Sequence, residues 1–77
     1  MNIIKSQHSQ QIWFCVDKNG FICMFTEKPI KNVVKGTWES KNPYINSKIY
    51  NDICAIVQQA KMTFENEPEV IEMQFQI

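Results

Sequence analysis

Apolar residues near the N-terminus form two five-residue blocks, 12–16 and 21–25, separated by an Asp-Lys-Asn-Gly segment at 17–20. Two apolar blocks on either side of such a segment are typical of a β-hairpin, since aspartate first and glycine last favour a type I turn that closes on a left-handed glycine. The pattern therefore predicts a hairpin over residues 12–26.

The type of turn sets the register of this hairpin. A three-residue loop closed by the glycine places Cys15 opposite Cys23, whereas a two-residue Asn-Gly turn would place Val16 opposite Cys23. The leading aspartate and the closing glycine favour the first register.

Both faces of the hairpin are apolar, because neither block alternates as a half-exposed strand does. One face carries Trp13, Cys15, Phe21, Cys23 and Phe25, and the other carries Ile12, Phe14, Val16, Ile22 and Met24. One helix can cover only one of these faces. The second face is expected to be covered either by a subunit, partner or ligand or by the chain's own segments 1–10, 30–36 and 41–46.

The segments around the hairpin are more polar. Residues 1–10 are interpreted as a flexible arm or a short edge strand. Pro29 ends the hairpin because it cannot donate to a β-ladder, and residues 30–36 are interpreted as a loop or irregular edge. A short third strand is predicted at 36–40, with Trp38 pointing inward.

The period of the apolar residues changes in the second half of the chain. Between 47 and 64 they recur at helical spacing, and Asn46 or Ser47 can cap the start of this helix. Residues 69–77 alternate as a half-buried strand does. We therefore expect a single α+β domain, 1–77, with a small, mainly antiparallel sheet in the order β-β-β-α-β and one helix packed on one face.

Composition points to a folded but marginal domain. The apolar fraction of 44% is that of a globular chain, yet a domain of this size buries only about 60% of its unfolded surface. Oligomerisation, a metal or disulfides usually support such domains. No apolar run reaches the roughly 20 residues of a membrane helix, and the N-terminus lacks a signal-peptide core, so we expect a cytoplasmic protein without membrane partners.

Charge is balanced overall but unevenly placed. Residues 1–48 hold seven lysines and three acidic residues, whereas residues 49–77 hold one lysine and five acidic residues. Such a dipole can orient two copies or attract an anion, although charge patterns also arise on ordinary solvated surfaces. All basic residues are lysines, and the missing arginine disfavours base and phosphate recognition.

Candidate chemistry is sparse. The only histidine, His8, lies in the polar arm without a nearby nucleophile, so catalysis is not expected. Cys15, Cys23 and Cys54 lack the close pairing of zinc ligands and are expected to be buried free thiols, with no metal or other cofactor. A Cys15–Cys23 disulfide would not be expected in the reducing cytoplasm.

One group of lysines is the best candidate for an anion site. Lys28, Lys31 and Lys35 precede two aromatic residues, Trp38 and Tyr44, and such a combination can hold a phosphate and stack a base. The alternative is that these lysines discourage pairing at an exposed strand edge.

A resemblance covers about residues 13–39. The run Val16-Asp17-Lys18-Asn19-Gly20, followed by Phe25, Lys28-Pro29-Ile30 and Trp38-Glu39, resembles a group of small uncharacterised proteins of phages and mobile elements. Lys31 stands where those proteins usually have arginine, and the C-terminal half shows no shared pattern. The resemblance implies a phage-type accessory gene and supplies no active-site residues.

These observations predict a small non-enzymatic protein that acts by protein–protein contact as a homodimer, as a phage or mobile-element accessory factor that docks on a host or phage protein. Trp13, Phe25 and Trp38 are the expected interface anchors, because aromatic residues dominate interface hot spots. The alternative is a nucleotide- or small-ligand-binding protein that uses Lys28, Lys31 and Lys35. A structural subunit of a larger particle is a third hypothesis.

Overall fold

The computed structural model describes the backbone of residues 7–76 and the side chains of residues 10–72. The elements are β1 (Gln7–Val16), β2 (Ile22–Phe25), β3 (Ile30–Asn32), β4 (Thr37–Glu39), α1 (Ser47–Ala60) and β5 (Glu69–Gln76). Within residues 7–76, antiparallel sheets with a single helix confirm the predicted α+β class.

The hairpin forms in the predicted register. Cys15 lies opposite Cys23 and Val16 opposite Ile22. The turn is closed by the Asp17 amide, which donates to the Phe21 carbonyl at 2.8 Å. Gly20 has φ +93°, the left-handed conformation that only glycine adopts without strain. Local turn chemistry thus sets the register of the whole hairpin.

The main sheet has the strand order β2-β1-β5, with β1 in the centre and antiparallel to both neighbours. Helix α1 covers one face. Its buried residues, Ile49, Ile53 and Val57, pack on the β-sheet residues Ile12, Phe14, Val16 and Met24. Burying a side chain of this size stabilises the fold by about 1.5–3 kcal/mol, so this layer is the principal core.

The second face of the sheet is covered within the chain. The β3–β4 hairpin forms a separate two-stranded sheet, and its Trp38 packs with Cys15, Phe25 and Phe64 in a second core. The Lys18 amide donates to the Gly36 carbonyl at 2.9 Å and ties the two hairpin turns together. Of the alternatives for covering this face, the structure shows the chain's own segments.

Three boundaries differ from the predictions. The helix ends at Ala60 rather than 64, because Lys61 turns to φ +54° and its amide caps the Gln58 and Val57 carbonyls. Residues 30–32, expected in a loop or irregular edge, form β3 by pairing with β4. Residues 7–10, interpreted as a flexible arm or a short edge strand, extend β1 because β5 pairs with them. Residues 1–6 of the arm and residue 77 of the last strand lie outside the described residues.

Candidate functional site

Two of the three predicted interface anchors lie in the interior. Phe25 is 7% exposed and Trp38 is 6% exposed. The indole Nε1–H of Trp38 donates to the Val16 carbonyl at 3.1 Å, and the Trp38 ring meets Phe64 edge-on with centroids 6.1 Å apart. Aromatic pairs favour this geometry. Trp38 and Phe25 thus serve as core residues of the second layer, a correction to their expected role.

Trp13 is the one anchor that keeps accessible surface. It packs at the margin of the second core and is only half-buried. The Lys28 ammonium lies 6.0 Å from its ring centroid, at the outer limit of a cation–π contact. Trp13 is therefore a partly covered residue rather than an open docking anchor.

The three candidate anion-binding lysines are not brought together around a common point. Lys31 extends across the second core, with its ammonium 4.4 Å from the Phe64 ring centroid and 4.0 Å from a Glu65 carboxylate oxygen. The Lys35 ammonium lies 3.8 Å from a Glu39 carboxylate oxygen. Each lysine has an intramolecular partner, so an anion would have to compete with a different group at each one.

Lys28 lines a cleft of about 570 Å³ with a different lysine, Lys41. The same cleft is lined by Glu27 and Glu39, and the Ser40 hydroxyl donates to Glu27 at 3.1 Å. Two lysines and two glutamates balance in charge. The cleft therefore offers an anion no net electrostatic attraction.

Asp17 and the two facing thiols form a polar cluster at the hairpin turn, in which Asp17 and Cys15 are buried and Cys23 is partly buried. Asp17 is 8% exposed; its Oδ1 accepts from the Trp38 amide at 2.9 Å, and its Oδ2 accepts from the Cys23 thiol at 3.3 Å. Burial, then the hydrogen bond to Asp17, raises the pKa of Cys23 to about 12. Burial, then the neighbouring Cys23, also raises the pKa of Cys15. Both thiols are held protonated, which makes them poor nucleophiles.

The raised pKa values of these two thiols predict that the fold loses stability at alkaline pH. Their ordinary pKa is 9.0, and the fold raises it, so the unfolded chain releases its protons first as the pH rises. Their contribution is full below about pH 9 and is lost as the pH approaches the folded-state pKa values. We expect the urea midpoint of the natural chain to fall more steeply above about pH 9 than that of Cys23→Ala. Cys54→Ala, outside the pair, is the matched control; identical slopes for all three proteins would contradict the prediction.

The outer edge of β5 is a long open strand edge. β5 has eight residues and forms one side of the main sheet, where its only strand neighbour within residues 7–76 is β1. Its sequence, EVIEMQFQ, contains no lysine, proline or glycine, although it carries two glutamates. Natural edge strands are usually short or protected by such residues. This edge therefore stands out as a candidate for pairing.

A second accessible feature is an apolar groove between β2 and the start of α1. It has a volume of about 370 Å³, and its lining consists of Ile22, Met24, Tyr44, Ile45, Asn46, Ser47 and Tyr50. Ile45 is 92% exposed at its rim. Neither this groove nor the β5 edge was predicted as a site. The helical period starts after Ile45, and the alternation of β5 predicts burial of one face without showing which strand lies beside it.

The described residues show neither a cluster of metal ligands nor a membrane-spanning helix. No group of three histidine, cysteine or acidic residues there is placed to hold a metal ion. No helix in that part of the chain combines the length and the apolar character needed to cross a bilayer.

Comparison with protein-family models, curated proteins and solved structures gives no match to this chain.

Proposed function

We propose that this chain is a non-enzymatic interaction protein that works as a homodimer, assembled by pairing of the outer edges of two β5 strands. The observation that carries the proposal is the open eight-residue edge, which has no lysine, proline or glycine. An exposed edge presents a row of backbone donors and acceptors that a second strand can satisfy.

Hydrogen-bond alternation identifies the backbone groups at this edge. The Tyr44 amide donates to the Met24 carbonyl from outside the hairpin, so the backbone N–H and C=O groups of Met24 and Ile22 point away from β1. The odd-numbered residues of β2 and β1 are therefore the ones whose backbone groups bond to each other. The backbone groups of the even-numbered β1 residues then point towards β5, where they lie opposite its odd-numbered residues. The amides and carbonyls of Val70, Glu72, Gln74 and Gln76 consequently face outward.

β2 is shorter than β1 and β5, and this difference favours a second copy of the chain as the partner of the β5 edge. β2 pairs only with residues 13–16, so residues 7–11 and 72–76 form a two-stranded ribbon. A two-stranded ribbon is only marginally stable in water. Pairing of β5 with its symmetry mate converts both ribbons at once into one four-stranded sheet.

Two-fold symmetry restricts the register of such a dimer. A register centred on residue 72 would place the two Glu72 residues directly opposite each other, and like charges in that position are destabilising. A register centred on residue 73 or 74 avoids this opposition. The second of these places Glu72 opposite Gln76 of the other copy.

The biological role that we propose is that of a phage or mobile-element accessory factor in the cytoplasm, which docks on a host or phage protein. The resemblance over residues 13–39 supports the origin. Three free cysteines, two of them facing each other, fit a reducing compartment. The intramolecular partners of Lys28, Lys31 and Lys35 make the nucleotide-binding alternative the weaker proposal.

Proline at position 72 tests the dimer. Glu72→Pro removes an outward amide, which an edge strand tolerates, and leaves the bonds to β1 in place. We expect its dimer dissociation constant, measured by sedimentation equilibrium, to rise at least about tenfold, the effect of losing roughly 1.4 kcal/mol. Far-UV circular dichroism should show that the monomer remains folded.

Glu72→Thr is the matched control, because it removes the same charge and retains the amide. This variant should dimerise at least as tightly as the natural chain. A natural chain that stays monomeric up to millimolar concentration, or a Glu72→Pro variant that dimerises unchanged, would contradict the proposal. Assembly beyond a dimer would favour the particle-subunit hypothesis instead.

A further inference from the structure

The outer edge of β2 is occupied over only half of its length. The Thr26 amide donates to the Asn42 carbonyl at 2.9 Å, and the Tyr44 amide donates to the Met24 carbonyl at 3.0 Å. Residues 42–44 thereby act as a short added strand, joined to Phe25 by a β-bridge at Pro43. The chain's own backbone shows that this edge accepts an extended segment.

The added strand stops before the edge ends. At Ile45 the chain turns away towards α1, whose first amides are capped by the Asn46 side chain. The next β2 residue whose backbone groups point outward is Ile22, which lies beyond the last hydrogen bond of this short ladder. Its N–H and C=O face the groove without a hydrogen-bonded partner in the described part of the chain.

The groove beside Ile22 is suited to an apolar side chain. Its walls are supplied by Met24, Tyr44 and Tyr50, and the Ile45 side chain stands almost fully exposed at its rim. Most of its accessible lining is apolar, and no charged residue lines it. A bulky apolar group of a partner would therefore be desolvated there without burying an opposing charge.

We propose that the β2 edge and its groove bind an extended segment of a partner protein, which inserts a bulky apolar residue into the groove. Its backbone extends the ladder begun by residues 42–44 and forms two hydrogen bonds with Ile22. This binding mode is strand addition, in which the backbone bonds give affinity and the pocket selects the side chain. The site lies at the β2 edge of the main sheet, whereas the dimer forms at the β5 edge, so binding does not depend on dimerisation.

Selection of peptides on the full chain tests this inference. Phage-displayed random dodecapeptides are selected on the natural chain, and each enriched peptide is synthesised and titrated against two variants. Ile45→Asp changes the groove rim, whereas Val34→Asp introduces the same charge at a residue that is 97% exposed in the β3–β4 turn. Both sites are open enough that neither change should disturb folding.

We expect the enriched peptides to share a bulky apolar residue at one position. They should lose at least about tenfold in affinity on Ile45→Asp, about 1.4 kcal/mol, and bind Val34→Asp as they bind the natural chain. The Ile22 amide signal should shift in NMR spectra when a peptide binds. Failure to enrich any peptide, or equal affinity for the natural chain and Ile45→Asp, would overturn the inference. Binding that persists on Glu72→Pro separates this result from the fate of the dimer.

Discussion

Trp38→Ala is expected to destabilise the fold by about 3–5 kcal/mol, the usual cost of truncating a buried aromatic residue. The indole fills the second core against Phe64 and Phe25, and its removal also leaves the Val16 carbonyl without its donor. Small domains are stable by about 5–15 kcal/mol, so most of the available stability would be lost. Urea denaturation followed by circular dichroism measures the change directly.

Two further variants separate the contributions of Trp38 and test its position. Trp38→Phe keeps a ring but loses the hydrogen bond to Val16, so it should cost clearly less than Trp38→Ala. Trp13→Ala removes a half-buried tryptophan and should cost less than the truncation at 38. If Trp38→Ala instead left the unfolding midpoint unchanged and dissociated a dimer, the residue would be an interface anchor after all.

The sequence predicted the features that depend on neighbouring residues. The Asp-Lys-Asn-Gly turn determines the hairpin register because its hydrogen bonds lie within five residues. The division of the hairpin into two apolar faces follows from strand alternation, and each face packs in one of the two cores. The helix start depends on the Asn46 cap, which is likewise local.

The features that were missed depend on distant contacts. Phe64 fits the helical period, yet the chain leaves the helix at Lys61 and brings Phe64 to the opposite face of the sheet, where it meets Trp38. Residues 47–64 contain no glycine or proline that would mark the end of the helix at this point. The polar residues at 7–11 form a strand only because β5 pairs with them, an override of local pattern by tertiary contacts.

The candidate sites show the same limit. Aromatic residues fill cores and interfaces equally well, so the sequence could not distinguish Trp38 as a core residue from Trp38 as an anchor. The lysine group is close in sequence, but strand alternation sends Lys31 to the inner face of the β3–β4 hairpin opposite Trp38. The open edges of β2 and β5 arise from strand order, which no local pattern specifies.

Asp17 joins the two hairpins, and its truncation is expected to have the second largest effect. In Asp17→Ala the Trp38 amide loses its acceptor in a buried setting, and the Cys23 thiol loses its partner. Removing a hydrogen bond to a charged group and leaving a buried donor unsatisfied costs about 1.5–3 kcal/mol. The loss should appear in urea unfolding as a lower midpoint with an unchanged slope.

Asp17→Asn distinguishes the hydrogen bond from the charge. The amide oxygen of asparagine can still accept from the Trp38 amide, so most of the stability should be retained. The negative charge that helps to raise the pKa of Cys23 would be gone, while burial of the thiol remains. Cys23 should therefore react faster with a thiol reagent at about pH 9 in Asp17→Asn than in the natural chain. Equal stability of Asp17→Ala and the natural chain would mean that the β3–β4 hairpin is held on the sheet by the packing of Trp38 and Phe64, without a contribution from the carboxylate.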